Sequence, residues 1–144
     1  MASNIYTAAL RNVGSYQVSG QPYLSGSVTT ATLGSNAEGH FRFPYVTKKI
    51  IVSNESSTRD AIVSFAPFKQ SEASGYGFTN SASGSGNWLL LQKATSMELD
   101  VKCKEIFVAP ATANAVDFIT VYAELTNIPT GSMYSLDGIK GVSV

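Results

Sequence analysis

Cysteine and histidine are scarce in this chain of 144 residues, which contains one of each, Cys103 and His40. A single cysteine cannot form a disulfide within the chain, so the fold does not depend on an oxidising compartment. A metal site needs three or four histidine, cysteine or carboxylate ligands, and this pair supplies too few. The sequence therefore predicts no metal and no other cofactor, and His40 is expected to be solvated or to cap a backbone group.

Charge and long apolar runs are also limited. Ten basic residues balance ten acidic ones, and charged residues make up only 14% of the chain. Such a composition gives no general attraction to nucleic acid or to an anionic membrane. No apolar run approaches the roughly twenty residues that cross a bilayer, and the amino end lacks the pattern of a secretory signal. We expect a soluble protein with neither nucleic-acid nor membrane partners.

Catalytic motifs are missing from the sequence as well. It contains no Gly-x-Ser-x-Gly elbow, no Ser-x-x-Lys pair and no phosphate loop ending in Gly-Lys-Ser/Thr. Glu98 and Asp100 share a strand face with Lys102 and Lys104, so ion pairing explains these carboxylates better than acid–base catalysis does. The sequence predicts a protein that is not an enzyme.

What the chain does contain is alternation typical of β-strands. One parity of the segment MELDVKCK carries Met97, Leu99, Val101 and Cys103, and the other carries Glu98, Asp100, Lys102 and Lys104. This period predicts a strand with one wet face, and Cys103 is expected to be a small apolar side chain on the dry face. The apolar parity shifts by one residue after Lys104 and Glu105. We therefore predict a β-bulge near these two residues.

Further strands are predicted on both sides of this segment. FRFPYVTKKIIVSN and AIVSFAPF are expected to form a hairpin across the turn NESSTRD. Near the carboxyl end, one face carries Ile119, Val121, Ala123 and Leu125. Phe118 and Tyr122 lie on the opposite face, where we expect a second sheet to pack rather than a partner. Repeated short strands predict an all-β fold, an antiparallel β-sandwich or jelly-roll-like domain, over residues 41–144.

The first forty residues differ in character from the rest. They are rich in Gly, Ser and Thr and lack a sustained apolar period. Residues 1–40 are therefore predicted to form an extended N-terminal arm that is disordered, or that lies on another surface and adds an edge strand to a neighbour. The residues expected to make that contact are Tyr16, Val18, Tyr23 and Leu24.

A Gly/Ser-rich loop, KQSEASGYGFTNSASGSGN, precedes the segment that begins at Trp88. Loops of this length are usually functional, mobile or packed on a partner. Tyr76, Phe78 and Trp88 would form a glycan or partner platform if exposed, and they would anchor the loop if packed on the core. The sequence leaves both alternatives open.

Two sets of segments carry a resemblance to a known family. The stretch LRNVGSYQVSGQPYLSGS resembles the start of small virion structural proteins of marine tailed bacteriophages, especially cyanophages. FPYVTKKIIVSN, SMELDVKCKEIFV and VYAELTNIP resemble strand motifs of small phage capsid-decoration proteins.

The resemblance implies a β-sandwich cement protein, made in the host cytoplasm, that binds the outer surface of a shell of major capsid protein. It also implies a homo-oligomer, for which a trimer is expected. The alternative is a carbohydrate-binding β-sandwich module for host recognition on a tail, fibre or capsid surface.

Overall fold

The computed structural model describes residues 8–11, 13–17, 20–28, 39–66, 88–110, 118–136, 139–140 and 142. Regular structure in these residues is almost entirely β. In chain order the elements are α1 (Val13–Gln17), β1 (Pro22–Val28), β2 (Gly39–Arg42), β3 (Tyr45–Asn54), β4 (Ala61–Ser64), β5 (Leu89–Leu91), β6 (Thr95–Leu99), β7 (Glu105–Pro110), β8 (Ile119–Pro129) and a 3-10 helix (Thr130–Ser132). No helix in these ranges has the length and apolarity needed to span a membrane.

The strands form two antiparallel sheets of four strands each. The first sheet has the order β1-β8-β3-β6, and the second has the order β2-β7-β4-β5. Their apolar faces share one core, to which Ile50 and Val121 contribute from the first sheet and Val63 and Val108 from the second. The prediction of an all-β antiparallel β-sandwich is confirmed, whereas the jelly-roll-like arrangement stays a prediction.

Alternation in β8 explains which face of the first sheet meets the core. Ile119, Val121 and Ala123 are fully buried, whereas Thr120 and Tyr122 between them are partly exposed. This confirms the predicted apolar face. The second sheet packs on that face, so the prediction that it covers the Phe118 and Tyr122 side is wrong.

The segment from Met97 to Pro110 is two strands in two sheets. β6 ends at Leu99 in the first sheet, and β7 begins at Glu105 in the second. The predicted bulge is therefore wrong, because the parity shift after Lys104 marks the point at which the chain changes sheets. Cys103 lies in this crossover and is buried, as predicted.

The predicted hairpin between β3 and β4 is also wrong, since the two strands lie in different sheets. Asn54, which is 1% exposed, organises the connection between them. Its Nδ2 donates to the carbonyl oxygen of Arg59 at 2.9 Å, and its Oδ1 accepts from the N–H of Ser56 at 3.0 Å. A buried amide thus directs the chain from one sheet to the other.

The N-terminal region differs from the predicted extended arm over residues 22–28. These residues form β1, which pairs with β8 of the same chain and places Tyr23 opposite Ala123 and Leu24 opposite Tyr122. Gly20 permits the close approach, since a Cβ there would lie 1.6 Å from the carbonyl oxygen of Leu125. The predicted edge strand therefore forms, but on the chain's own sheet rather than on a neighbour.

Candidate functional site

The residues predicted to make the arm contact occupy different environments. Tyr16 is partly buried against the core, and its hydroxyl donates to the carbonyl oxygen of Leu10 at 2.8 Å. Tyr23 packs edge-on against Phe43, with ring centroids 4.9 Å apart. Leu24 is 74% exposed. Val18 lies outside the described residues, so Leu24 is the largely exposed side chain among the three that can be placed.

Leu24 belongs to a row of side chains across the outer surface of the first sheet. In the strand register, Leu24 lies opposite Tyr122, Tyr122 opposite Ile51, and Ile51 opposite Glu98. Tyr122 and Ile51 are partly exposed. We call Leu24, Tyr122 and Ile51 the outer row. It presents apolar surface on the side of the sheet that faces away from the core.

A charged groove adjoins the outer row. Two depressions of about 470 and 330 Å³ share Lys48 and Glu124 in their walls, with Tyr16 lining the larger one and Tyr122 the smaller one. Volumes of this size lie in or near the range of small-ligand sites. The sheet order places β8, β3 and the end of β6 side by side, which brings these distant sequence positions together.

Ion pairs neutralise much of the charge near this groove. Lys49 Nζ lies 2.8 Å from a carboxylate oxygen of Glu98 and 3.9 Å from one of Asp100, and Lys48 Nζ lies 3.8 Å from one of Glu124. The hydrogen bond to Glu98, followed by the charge of that carboxylate, raises the pKa of Lys49. The groove can donate and accept hydrogen bonds, but the ammonium group of Lys49, whose pKa is raised in this way, does not act as a base near neutral pH.

Cys103 and His40 do not form a reactive pair. Burial raises the pKa of the Cys103 thiol to about 11, so the thiol stays protonated at neutral pH and is a poor nucleophile. The exposed His40 instead contacts a Glu105 oxygen through Nε2 at 2.7 Å, and its ring stacks on Phe107 with centroids 4.2 Å apart. Among the described residues, no group of three or more potential metal ligands is assembled.

The predicted loop platform can be placed only in part. Tyr76 and Phe78 lie outside the described residues, whereas Trp88 is partly exposed immediately before β5. Leu89 and Leu90 follow it with 41% and 47% of their surfaces exposed. Sequence analysis did not single out these leucines, because a continuous apolar run is typical of a buried strand and does not reveal that the strand lies at a sheet edge.

Comparisons of the chain with protein-family models, with curated proteins and with solved structures found no match.

Proposed function

We propose that this chain is a non-enzymatic structural protein of a phage virion, a decoration or cement protein that stabilises the capsid. It would bind the outer surface of the shell formed by the major capsid protein. The proposal combines the sequence resemblance with the outer row, and the exposure of Leu24 at the end of this row is the observation that carries it. Leu24 is 74% exposed although it lies in a regular strand.

The arrangement around the outer row supports a contact with a large surface. Protein interfaces commonly combine an apolar centre with a polar rim. Here the centre is Leu24, Tyr122 and Ile51, and the ion pairs of Lys49 and Glu124 lie next to it. Many copies on one shell would add their contacts, so each contact needs only modest affinity.

The charged groove favours a second candidate, a carbohydrate-binding module for host recognition. Tyr16 and Tyr122 line its two depressions together with Lys48 and Glu124. Sugar rings pack on aromatic faces, and their hydroxyl groups hydrogen-bond to charged side chains. The carbohydrate site proposed here is formed by these four residues, and it does not depend on the loop that holds Tyr76 and Phe78.

Co-sedimentation with shells of the cognate major capsid protein tests the first proposal. We expect the unmodified chain to sediment with the shells, and Ile51→Lys to weaken binding by about tenfold or more because a charge enters the apolar centre of the contact. Leu90→Lys, at an exposed position on the second sheet, is the matched control and should bind like the unmodified chain.

The same preparations separate the two candidates. The carbohydrate-binding function would be supported if the chain does not bind shells but binds host surface polysaccharide saturably, and if Tyr122→Ala loses this binding. Absence of both kinds of binding would contradict both candidates. Equal losses of shell binding in Ile51→Lys and Leu90→Lys would show that the outer row is not the contact surface.

A further inference from the structure

Two adjacent lysines of β3 reach the charged groove because the strand is irregular at this point. Neighbouring residues of a regular strand point to opposite faces of the sheet. Thr47 and Lys49 lie opposite consecutive residues of β8, which leaves Lys48 as an extra residue between them. A bulge of this kind redirects side chains. Lys48 and Lys49 are accordingly both partly exposed, and both line the larger depression of the groove.

A third lysine, Lys102, enters the same depression from a backbone that is held on both sides. The buried hydroxyl of Thr47 donates to the carbonyl oxygen of Val101 at 2.8 Å and accepts from the N–H of Cys103 at 3.1 Å. The N–H of Thr47 donates to the carbonyl oxygen of Cys103 at 3.0 Å. These bonds fix the crossover between β6 and β7 against β3. The backbone that carries the exposed Lys102 is therefore in place before any ligand binds.

The three lysines differ in how their charges are satisfied. Lys49 contacts two carboxylates, at 2.8 and 3.9 Å. Lys48 lies 3.8 Å from Glu124, and both side chains are partly exposed, so this ion pair is weak. Within the part of the chain that the structure describes, Lys102 forms no ion pair. Lys102 thus offers its charge to a ligand, and Lys48 can exchange a weak partner for a ligand anion.

An aromatic side chain accompanies these cations. Tyr16 lines the same depression, and its position is defined by the hydrogen bond from its hydroxyl to the carbonyl oxygen of Leu10. The volume of about 470 Å³ suits a small ligand or one segment of a polymer. A sugar ring that carries a carboxylate matches both features, because the ring packs on the aromatic side chain and the carboxylate binds ammonium groups. An acidic peptide would match only the lysines.

We propose that the larger depression binds an acidic saccharide, with a carboxylate of the sugar at Lys102 and Lys48 and the sugar ring against Tyr16. This inference rests on the carbohydrate-binding candidate, which it narrows from sugars in general to sugars that carry a negative charge. The outer row lies outside the larger depression. A saccharide bound there leaves Leu24 exposed, so the capsid proposal does not depend on the outcome.

Isothermal titration of the full chain with two oligosaccharides tests this assignment. Hexagalacturonate carries a carboxylate on every ring, and maltohexaose is a neutral counterpart. We expect saturable binding of hexagalacturonate and binding of maltohexaose that is weaker by about tenfold or more. Lys102→Gln should weaken the binding of hexagalacturonate about fivefold, whereas Lys102→Arg keeps the charge and should retain most of the affinity. Lys93→Gln removes the same charge from the exposed turn before β6 and should bind like the unmodified chain.

Three results would overturn the inference. Equal affinity for the two oligosaccharides, or no binding of hexagalacturonate, would show that the site does not prefer an acid. Equal losses in Lys102→Gln and Lys93→Gln would show diffuse attraction to the whole chain rather than a site. Tighter binding of a hexaglutamate peptide than of hexagalacturonate would assign the groove to an acidic peptide.

Titration with host surface polysaccharide separates these failures from failure of the carbohydrate-binding candidate. If the chain binds that polysaccharide, and Tyr122→Ala loses this binding, while hexagalacturonate does not bind, the candidate stands and only the preference for an acidic sugar is wrong. Shells are absent from all of these titrations, so a negative result leaves the capsid proposal to its own test.

Discussion

At the scale of single residues, buried hydroxyl groups hold the irregular parts of the sandwich. Thr47 Oγ1 donates to the carbonyl oxygen of Val101 at 2.8 Å and accepts from the N–H of Cys103 at 3.1 Å. Thr126 Oγ1 donates to the carbonyl oxygen of Val46 at 2.7 Å. Both threonines are buried, and the hydrogen bonds of their hydroxyl groups compensate the free-energy cost of removing these groups from water. Threonine at these strand positions is therefore structural.

The thiol of Cys103 predicts a loss of stability at high pH. Burial is the main cause that raises its pKa from 9.0 to about 11, against a smaller lowering by the Thr47 hydroxyl. Between these pH values the unfolded chain has released the proton and the folded chain still holds it, so stability falls as pH rises. The loss reaches about 2 kcal/mol at pH 11 and approaches about 3 kcal/mol at higher pH.

Urea unfolding of the unmodified chain and of Cys103→Ala, measured from neutral pH to pH 11, checks this prediction. The variant lacks the thiol and should lose less stability over the alkaline range, although its cavity lowers its stability at neutral pH. Other groups that titrate in this range are common to both proteins. Parallel stability curves would contradict the assignment of the alkaline loss to Cys103.

At the scale of elements, the sequence predicts which face of a strand is buried better than it predicts which sheet the strand joins. The alternation around Val121 and Ala123 correctly identified the core face of β8. The same signal could not distinguish a bulge after Lys104 from a crossover, because both shift the apolar parity by one residue. Sheet membership depends on distant pairing partners, such as Ile50 opposite both Leu99 and Ala123, which a local period does not encode.

Because β1 lies close against β8, we expect a substitution of Gly20 to lower the stability of the fold strongly. In Gly20→Ala the new methyl group would overlap the carbonyl oxygen of Leu125, which is backbone of β8 and cannot rotate away. We expect a destabilisation of about 3 kcal/mol, in the range of severe backbone clashes. Gly131→Ala adds the same atom where no heavy atom lies within 4 Å, and its effect should stay near about 0.5 kcal/mol.

Chemical denaturation of the two glycine variants beside the unmodified chain provides the measurement. A lower midpoint in Gly20→Ala alone is the expected result. Equal midpoints for both variants would mean that the start of β1 is not held against β8. Because the two substitutions change composition identically, a difference between them reports the local contact.

At the scale of the whole molecule, the candidate site could be predicted only in fragments. Sequence analysis selected Leu24, which is exposed on the outer row, but it also selected Tyr23, which packs on Phe43. Adjacent residues of a strand lie on opposite faces, but the Gly/Ser-rich composition of this region did not show where the strand lies, so the two side chains could not be assigned to separate faces. The charged groove combines Lys48, Asp100 and Glu124 from three parts of the chain. Only the sheet order brings them together, and no local motif marks them.

The largest difference between the sequence-based expectation and the structure concerns the region predicted to be an extended arm, in which the structure has α1 and β1. The stability of a truncated chain tests whether this region is an arm or a part of the sandwich. An extended arm can be removed without loss of the folded core. A chain that begins at Gly39 instead lacks α1 and β1, which leaves β8 as an unprotected edge and takes Tyr23 away from Phe43. We expect it to lose about 3 kcal/mol or more, a large share of the 5–15 kcal/mol typical of a domain. It should also aggregate through the exposed edge.

The full chain carrying Leu24→Ala serves as the control for this truncation. It keeps β1 and removes only a side chain that is 74% exposed. Its free energy of unfolding should therefore match that of the unmodified chain to within about 0.5 kcal/mol. Urea unfolding followed by circular dichroism compares the three proteins. If the truncated chain unfolded at the same midpoint as the full chain, the residues before Gly39 would be an appendage to an independent domain. The N-terminal region would then remain the predicted capsid-binding element, and the pairing of β1 with β8 would contribute nothing to the free energy of unfolding.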